Sequence, residues 1–363
     1  MAKAHTPAPL QDPPPLTEED EGDSSSASSM SSTGTIVPPT QQKSHIPALL
    51  LWHDCFEQEL YLNGYHVYIT PPRDLAKDPL FVCHHGAGSS GLSFALFASA
   101  LRKRLPSAGV MAIEARDHGS VIVEEEDSIS PTADMSLATL TQDLMEMIVR
   151  TEVKLAWKEL PNIVLVGHSL GGAVVTDVAK KDVLGTKLVG YAVIDVVEGS
   201  AMEALKSMQT YLRSRPSCFT SIEAAIEWHI RSRTIRNPLS ARLSTPPLLR
   251  ESQPGKWVWR TDLSATQTYW QNWFSSMSAK FLSGKAAKLL ILAGTDRLDK
   301  ELMIGQMQGK FQLSIFAEAG HFVQEDMPEK TAEVVTEFYK RNDRSTMVLP
   351  PKVSDLLKQG KKV

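Results

Sequence analysis

From residue 80 onward, short and nearly continuous apolar runs alternate with longer segments whose apolar residues recur every three or four positions. The run 80–86 (LFVCHHG) reads as a strand stopped by glycine, and 109–119 (GVMAIEARDHG) as a strand leading into a polar loop. Over 136–157 the spacing of Leu137, Leu140, Leu144, Met147 and Ile148 predicts one apolar helix face. The run 162–169 (NIVLVGHS) is a further strand ending near a glycine, and 170–180 (LGGAVVTDVAK) reads as a helix of small residues. Two more apolar strands, 187–195 (KLVGYAVID) and 288–296 (KLLILAGTD), each end in an aspartate. The last strand falls in 311–321 (FQLSIFAEAGH), and the closing helix in 328–341 (PEKTAEVVTEFYKR). Strands that are apolar throughout are buried on both faces, which requires a mostly parallel sheet covered by helices on either side. The predicted class is α/β.

One stretch breaks the alternation. From about residue 196 to 287 there is no buried-strand signal, and Trp228, Trp257, Trp259, Trp270 and Trp273 all fall there. Between Lys206 and Arg260 stand ten Lys/Arg against three Asp/Glu. The expectation is a helical cap inserted into a single domain of residues 45–342, lying over the strand ends. Residues 1–44 differ again: seven of the nine residues from Ser24 to Ser32 are serine, and an acidic run precedes them. Such a segment has too little apolar surface to offset the entropy of ordering, so a disordered leader is expected. Residues 343–363 read as a lysine-rich basic tail.

Composition narrows the classes of function. The 363 residues are 42% hydrophobic and 22% charged, the balance of a globular protein. A net charge of −4 provides no general attraction to nucleic acid or acidic membranes. Three cysteines, Cys55, Cys83 and Cys218, are too few and too odd in number for a disulfide framework. With no apolar signal segment and no run long enough to span a bilayer, a cytoplasmic or nuclear monomer is expected.

The chemistry lies at the strand ends. Gly167-His168-Ser169-Leu170-Gly171 matches G-x-S-x-G between an apolar strand and a small-residue helix, the setting of a nucleophile elbow. A serine hydroxyl needs a base to take its proton and an acid to orient that base. In this arrangement the base comes late, and His321 is the only histidine after His229. Asp195 and Asp296 both end apolar strands at the carboxyl edge, and spacing does not choose between them; the later-strand position common in such hydrolases favours Asp296. His84-His85-Gly86-Ala87-Gly88 resembles an oxyanion loop, with the backbone N–H of Ala87 expected to act beside that of Leu170. His84 and His85 are read as structural or loop-stabilising. No metal-ligand spacing and no phosphate loop occur, so no metal and no cofactor are expected.

Several of these segments resemble the eukaryotic protein phosphatase methylesterases. The elbow Gly167–Ala173 is generic, whereas Ile194-Asp195-Val196-Val197-Glu198-Gly199 and Ile304-Gly305-Gln306-Met307-Gln308-Gly309-Lys310-Phe311 are distinctive. The runs 293–299 and 221–228, Arg236-Asn237 and Gly320-His321 also match, so the likeness extends from about Trp52 to Arg341. The resemblance implies an α/β-hydrolase that removes the methyl ester from the C-terminal leucine of the type 2A protein phosphatase catalytic subunit. It also implies that the catalytic acid is Asp195, in the D-V-V-E-G run, with Asp296 as the runner-up. The sequence departs from the wider hydrolase pattern at the oxyanion loop, where a glycine triplet becomes Gly86-Ala87-Gly88. Alanine keeps the backbone donor.

Overall fold

The computed structural model describes residues 50–119, 134–294 and 298–343. The expected leader, nearly all of the basic tail and Asp296 lie outside those residues. The strands are β1 (Gln58–Leu62), β2 (Tyr65–Thr70), β3 (Leu80–His84), β4 (Gly109–Glu114), β5 (Ile163–His168), β6 (Leu188–Ile194), β7 (Cys218–Phe219), β8 (Leu249–Gln253), β9 (Lys256–Trp259), β10 (Ala287–Leu292) and β11 (Gln312–Ile315). The helices are α1 (Ala95–Arg104), α2 (Leu137–Lys154), α3 (Leu170–Lys181), α4 (Glu198–Ser214), α5 (Ile222–Arg231), α6 (Pro238–Ser244), α7 (Gln267–Phe274), α8 (Met277–Ser283), α9 (Lys300–Met307), α10 (Val323–Asp326) and α11 (Pro328–Asn342).

Eight strands form one sheet in the order β1-β2-β4-β3-β5-β6-β10-β11. The β1–β2 and β2–β4 pairs are antiparallel and every other neighbouring pair is parallel. Because side chains alternate across a strand, each buried run divides between two cores. In β3, Leu80 and Val82 join α2, α3 and α8 on one face, while Phe81 and Cys83 join α1 and α11 on the other. In β5, Ile163 and Leu165 separate from Val164 and Val166 in the same way. The two-sided burial read from the apolar runs is therefore present, with helices on both faces.

Two features depart from the sequence pattern. The β1–β2 hairpin precedes the first apolar run, and its strands carry too many polar residues to read as buried. Its signal is Asn63-Gly64, where φ of 48° and 84° makes the tight two-residue turn that matches strand twist. The second departure lies between β6 and β10. That stretch holds α4 to α8, as a helical insertion should, but also a separate antiparallel sheet in the order β7-β9-β8. Its strands escape the apolar-run criterion because they are short and, in β8, exposed after Leu249. Phe219, Ala225, Leu248 and Leu249 form a small core beneath it, flanked by Trp228, Trp257 and Trp259. Trp270 and Trp273 instead pack into the main core, and Trp273 Nε1 donates to the Met135 carbonyl at 2.6 Å.

Close backbone approach sets where β5, β3 and α3 meet. A Cβ on Gly171 would stand 2.1 Å from the His84 carbonyl oxygen, and one on Gly167 would stand 2.2 Å from that of Gly171. Neither neighbour can withdraw, because His84 closes a central strand and Gly171 lies in the first turn of α3. Gly171→Ala should therefore lower stability by about 3 kcal/mol or more, the upper range for overpacking. Gly294, with no atom within 4 Å of its built Cβ, provides the control: Gly294→Ala should change stability by less than about 0.5 kcal/mol. Urea denaturation of both variants checks the contrast, and a Gly171→Ala midpoint equal to that of Gly294→Ala would refute it.

Candidate active site

Ser169 sits at the turn from β5 into α3 with φ 51° and ψ −118°, a backbone conformation that costs about 1–3 kcal/mol for a residue with a side chain. The surrounding bonds hold it there. Ser169 N–H donates to the Ile194 carbonyl at 3.0 Å, and the Ser169 carbonyl accepts from Gly172 N–H at 2.8 Å. The result places the serine side chain at the carboxyl edge of the sheet, at the N-terminus of α3, where free N–H groups and the positive helix end converge.

His321, in the loop between β11 and α10, meets Asp195 at the end of β6. Its Nδ1 lies 2.8 Å from Asp195 Oδ2, and the aspartate side chain is fully buried. Asp195 also has a positive φ of 51°, and its Oδ1 accepts from Ala293 N–H at 2.8 Å. One carboxylate oxygen is thus fixed by a backbone N–H, which leaves the other aimed at the imidazole. With Nδ1 turned to the carboxylate, Nε2 of His321 remains for the reacting groups. His168 Nε2 donates to the His321 carbonyl at 2.8 Å, tying the histidine loop to the residue beside Ser169. Among the described residues no hydrogen bond joins Ser169 Oγ to His321. Catalytic hydrogen bonds of this kind are often long before substrate arrives.

The oxyanion-loop residues come to the same place. A Cβ on Gly86 would lie 3.0 Å from Ser169 Cβ, so the loop passes directly over the serine. Leu170 N–H opens α3, and among the described residues neither it nor Ala87 N–H donates to a protein acceptor. Of the residues singled out from sequence, Ser169, Asp195, His321, Ala87 and Leu170 are brought together. Asp296 lies outside the described residues, although the strand it follows, β10, runs beside β6. Among the described residues, no group of three or more His, Cys, Asp or Glu side chains is arranged to hold a metal ion.

Residues 81–334 match the alpha/beta hydrolase family. The chain is 56% identical over 344 residues to protein phosphatase methylesterase 1 of Aspergillus fumigatus, covering 89% of this chain and 81% of that protein. It is 44% identical over 332 residues to the protein of the same name from Schizosaccharomyces pombe, covering 86% and 93%. The chain belongs to the protein phosphatase methylesterase family. It is a carboxylic ester hydrolase with the α/β-hydrolase fold. The crystal structure of E-2-(acetamidomethylene)succinate hydrolase matches at a TM-score of 0.59 and 18% identity over 78% of this chain and 98% of that one, a likeness of fold alone.

Behind the methylesterase site lies a buried histidine cluster that spacing did not assemble. His84 ends β3 and His85 follows it, His118 follows β4 and His168 precedes Ser169; all four are buried. The His85 and His118 ring centroids are 5.0 Å apart. Burial pushes His84 down to about 4, His168 to about 3, and His85 well below its ordinary value, and it lowers His118 as well. Glu114, 3.6 Å from His85, is pushed up to about 8 by burial and is protonated at neutral pH. The cluster is uncharged there, so the oxyanion loop rests on a neutral bed.

That arrangement sets the acid stability. Unfolded histidines take up protons below pH 6.5, whereas the folded ones resist until about 4 or lower for His84, His168 and His229. Their depressed values make folding lose stability as pH falls, and His85 and His118 act in the same direction. Glu114 and Glu325 oppose this, because raised carboxyl values contribute stability that is fullest below about 4.5 and lost as pH rises through the folded value. Burial also lowers His66 and raises Asp326. Six histidines outweigh three carboxyls, so stability should fall on acidification from about pH 7 to pH 5, by about 1.4 kcal/mol per pH unit for each net proton. Urea midpoints at the two pH values check this; an unchanged or higher midpoint at the lower pH would refute it.

Proposed function

We propose that this methylesterase hydrolyses the C-terminal leucine methyl ester of the type 2A protein phosphatase catalytic subunit, with Ser169 as nucleophile, His321 as general base and Asp195 as its orienting acid. The observation that carries the reading is the 2.8 Å Asp195–His321 contact beside a serine held at positive φ. Ser169 Oγ attacks the ester carbonyl and gives its proton to His321 Nε2. The tetrahedral oxyanion is met by the N–H groups of Ala87 and Leu170. Collapse expels methoxide, which leaves as methanol with the proton from His321. Water then attacks the acyl-enzyme by the same route, giving the free carboxylate and restoring the serine.

The insertion supports a peptide substrate. A groove of about 490 Å³ is lined by Arg215, Arg250, Lys256, Trp259 and Leu263, among others. The Arg215 guanidinium stacks 4.4 Å from the Trp259 ring centroid. Leu263 packs directly on Gly88, since a Cβ there would fall 2.6 Å from Leu263 Cδ1. A cationic, aromatic groove that ends on the oxyanion loop suits an acidic, aromatic peptide end. Trp228 packs against Phe219 and Trp259 in the insertion's own small core, with Trp257 beside it. Binding energy from the partner protein can then be used to align Ser169 with His321, so short esters should react poorly.

Demethylation of the carboxymethylated phosphatase subunit, measured beside a small chromogenic ester, tests the assignment. Ser169→Ala should abolish turnover of both substrates, and Asp195→Asn should lower kcat by about 10⁴-fold through the wrong histidine tautomer. Retained demethylation by Ser169→Ala would overturn the nucleophile. Rapid cleavage of the small ester with an untouched phosphatase would overturn the substrate and leave a general carboxylesterase.

A further inference from the structure

We infer that His85 and His118 are positioning residues for the oxyanion hole: between them they clamp the peptide groups on either side of Ala87 and so aim its N–H. The inference rests on the role given above to Ala87 and Ser169.

The argument begins with His85. Its Nε2 lies 3.0 Å from Ala115 N–H, and a backbone N–H can only donate, so this ring nitrogen is the acceptor. The proton of the neutral ring therefore sits on Nδ1, which donates to the Gly86 carbonyl at 2.8 Å. That carbonyl also accepts from Ser89 N–H at 3.1 Å. Gly86 C=O and Ala87 N–H belong to one planar trans peptide group. Fixing the oxygen thus fixes the N–H in the opposite direction, away from His85.

His118 holds the next peptide. Gly88 N–H donates to His118 Nε2 at 2.8 Å, and His118 Nδ1 donates to the Arg116 carbonyl at 2.8 Å. Ala87 is therefore bracketed by two rings with the same tautomer but opposite tasks. One ring uses its donor on the loop and its acceptor on Ala115, the residue after β4; the other uses its acceptor on the loop and its donor on Arg116, one residue further. Both side chains are buried, so water cannot substitute for either bond. An oxyanion donor is worth most when its direction is set before the charge develops, which is what two such clamps provide.

The opposite tasks supply the test. Asparagine places an amide nitrogen where Nδ1 stood, and glutamine places an amide oxygen where Nε2 stood. His85→Asn should keep most of kcat while His85→Gln should lower it about tenfold to a hundredfold with little change in KM, part of the effect of losing a hole donor outright. At His118 the order should reverse, with His118→Gln retaining kcat and His118→Asn losing it. Rates are expressed per Ser169 site titrated with a fluorophosphonate, so an incompletely folded preparation does not distort them. Affinity for an aryl boronic acid, whose tetrahedral adduct loads the hole, should weaken in His85→Gln and His118→Asn but not in their partners. A packing role would rank glutamine above asparagine at both positions, and that result, or kcat following melting temperature across the four variants, would overturn the inference. Ser169→Ala run alongside separates the two readings. If it stays active the nucleophile assignment fails, whereas if it is inactive and His85→Gln keeps full kcat, only the clamp fails.

Discussion

The constraint on which the site depends is the contact between the first turn of α3 and the ends of β3 and β5. At Gly167 and Gly171 backbone meets backbone at distances no Cβ could share. Because α3 is pressed this close, its N-terminus opens directly onto the loop after β3, and Ser169 is held at positive φ in the narrow turn between strand and helix. A larger residue at either glycine would move the serine away from Gly86 and Ala87. The hydrogen bonds around Ser169 and the two cores on either side of the sheet supply the rigidity that keeps this strained residue in place.

A second layer of organisation is electrostatic. Asp195 keeps its carboxylate where His321 needs it, with one oxygen on the imidazole and the other on a backbone N–H. Beneath the oxyanion loop, burial disfavours charge on His85 and His118 and favours the protonated form of Glu114. Charge is thus present on the side where an imidazolium must be stabilised and absent beneath the loop that must receive an oxyanion. A protonated histidine under that loop would lose the lone pair that Gly88 N–H uses, so neutrality there is a geometric requirement as well as an electrostatic one.

The insertion between β6 and β10 is tied to the residues that follow those two strands. Glu198 accepts from Ser276 and Ser278 N–H at 2.9 and 3.2 Å, and Asp299 Oδ2 accepts from Ser278 Oγ at 2.5 Å. Glu198, in the distinctive D-V-V-E-G run, and Asp299, the N-cap of α9, therefore both anchor the start of α8.

Much of this was legible along the chain. Continuous apolar runs are the mark of strands buried on two faces, so the parallel part of the sheet and its helices could be read directly, and Ser169 and His321 followed from their places after particular strands. Hairpin β1–β2 was marked only by Asn63-Gly64, and the β7-β9-β8 sheet by no apolar run, because strands exposed on one side carry little hydrophobic signal. Asp195 stood behind Asp296 on strand position until the family likeness favoured it; its contact with His321 spans 126 residues, a separation that no local spacing encodes. His118 is the clearest case of the rest. Along the chain it is a polar residue in a loop, and only folding brings it 30 positions back to the amide of Gly88. Local periodicity decides which segments become strands and helices, because burial acts on each residue's own neighbours. Which side chains share a hydrogen bond is decided by tertiary packing, because that depends on where separate strand ends come to rest.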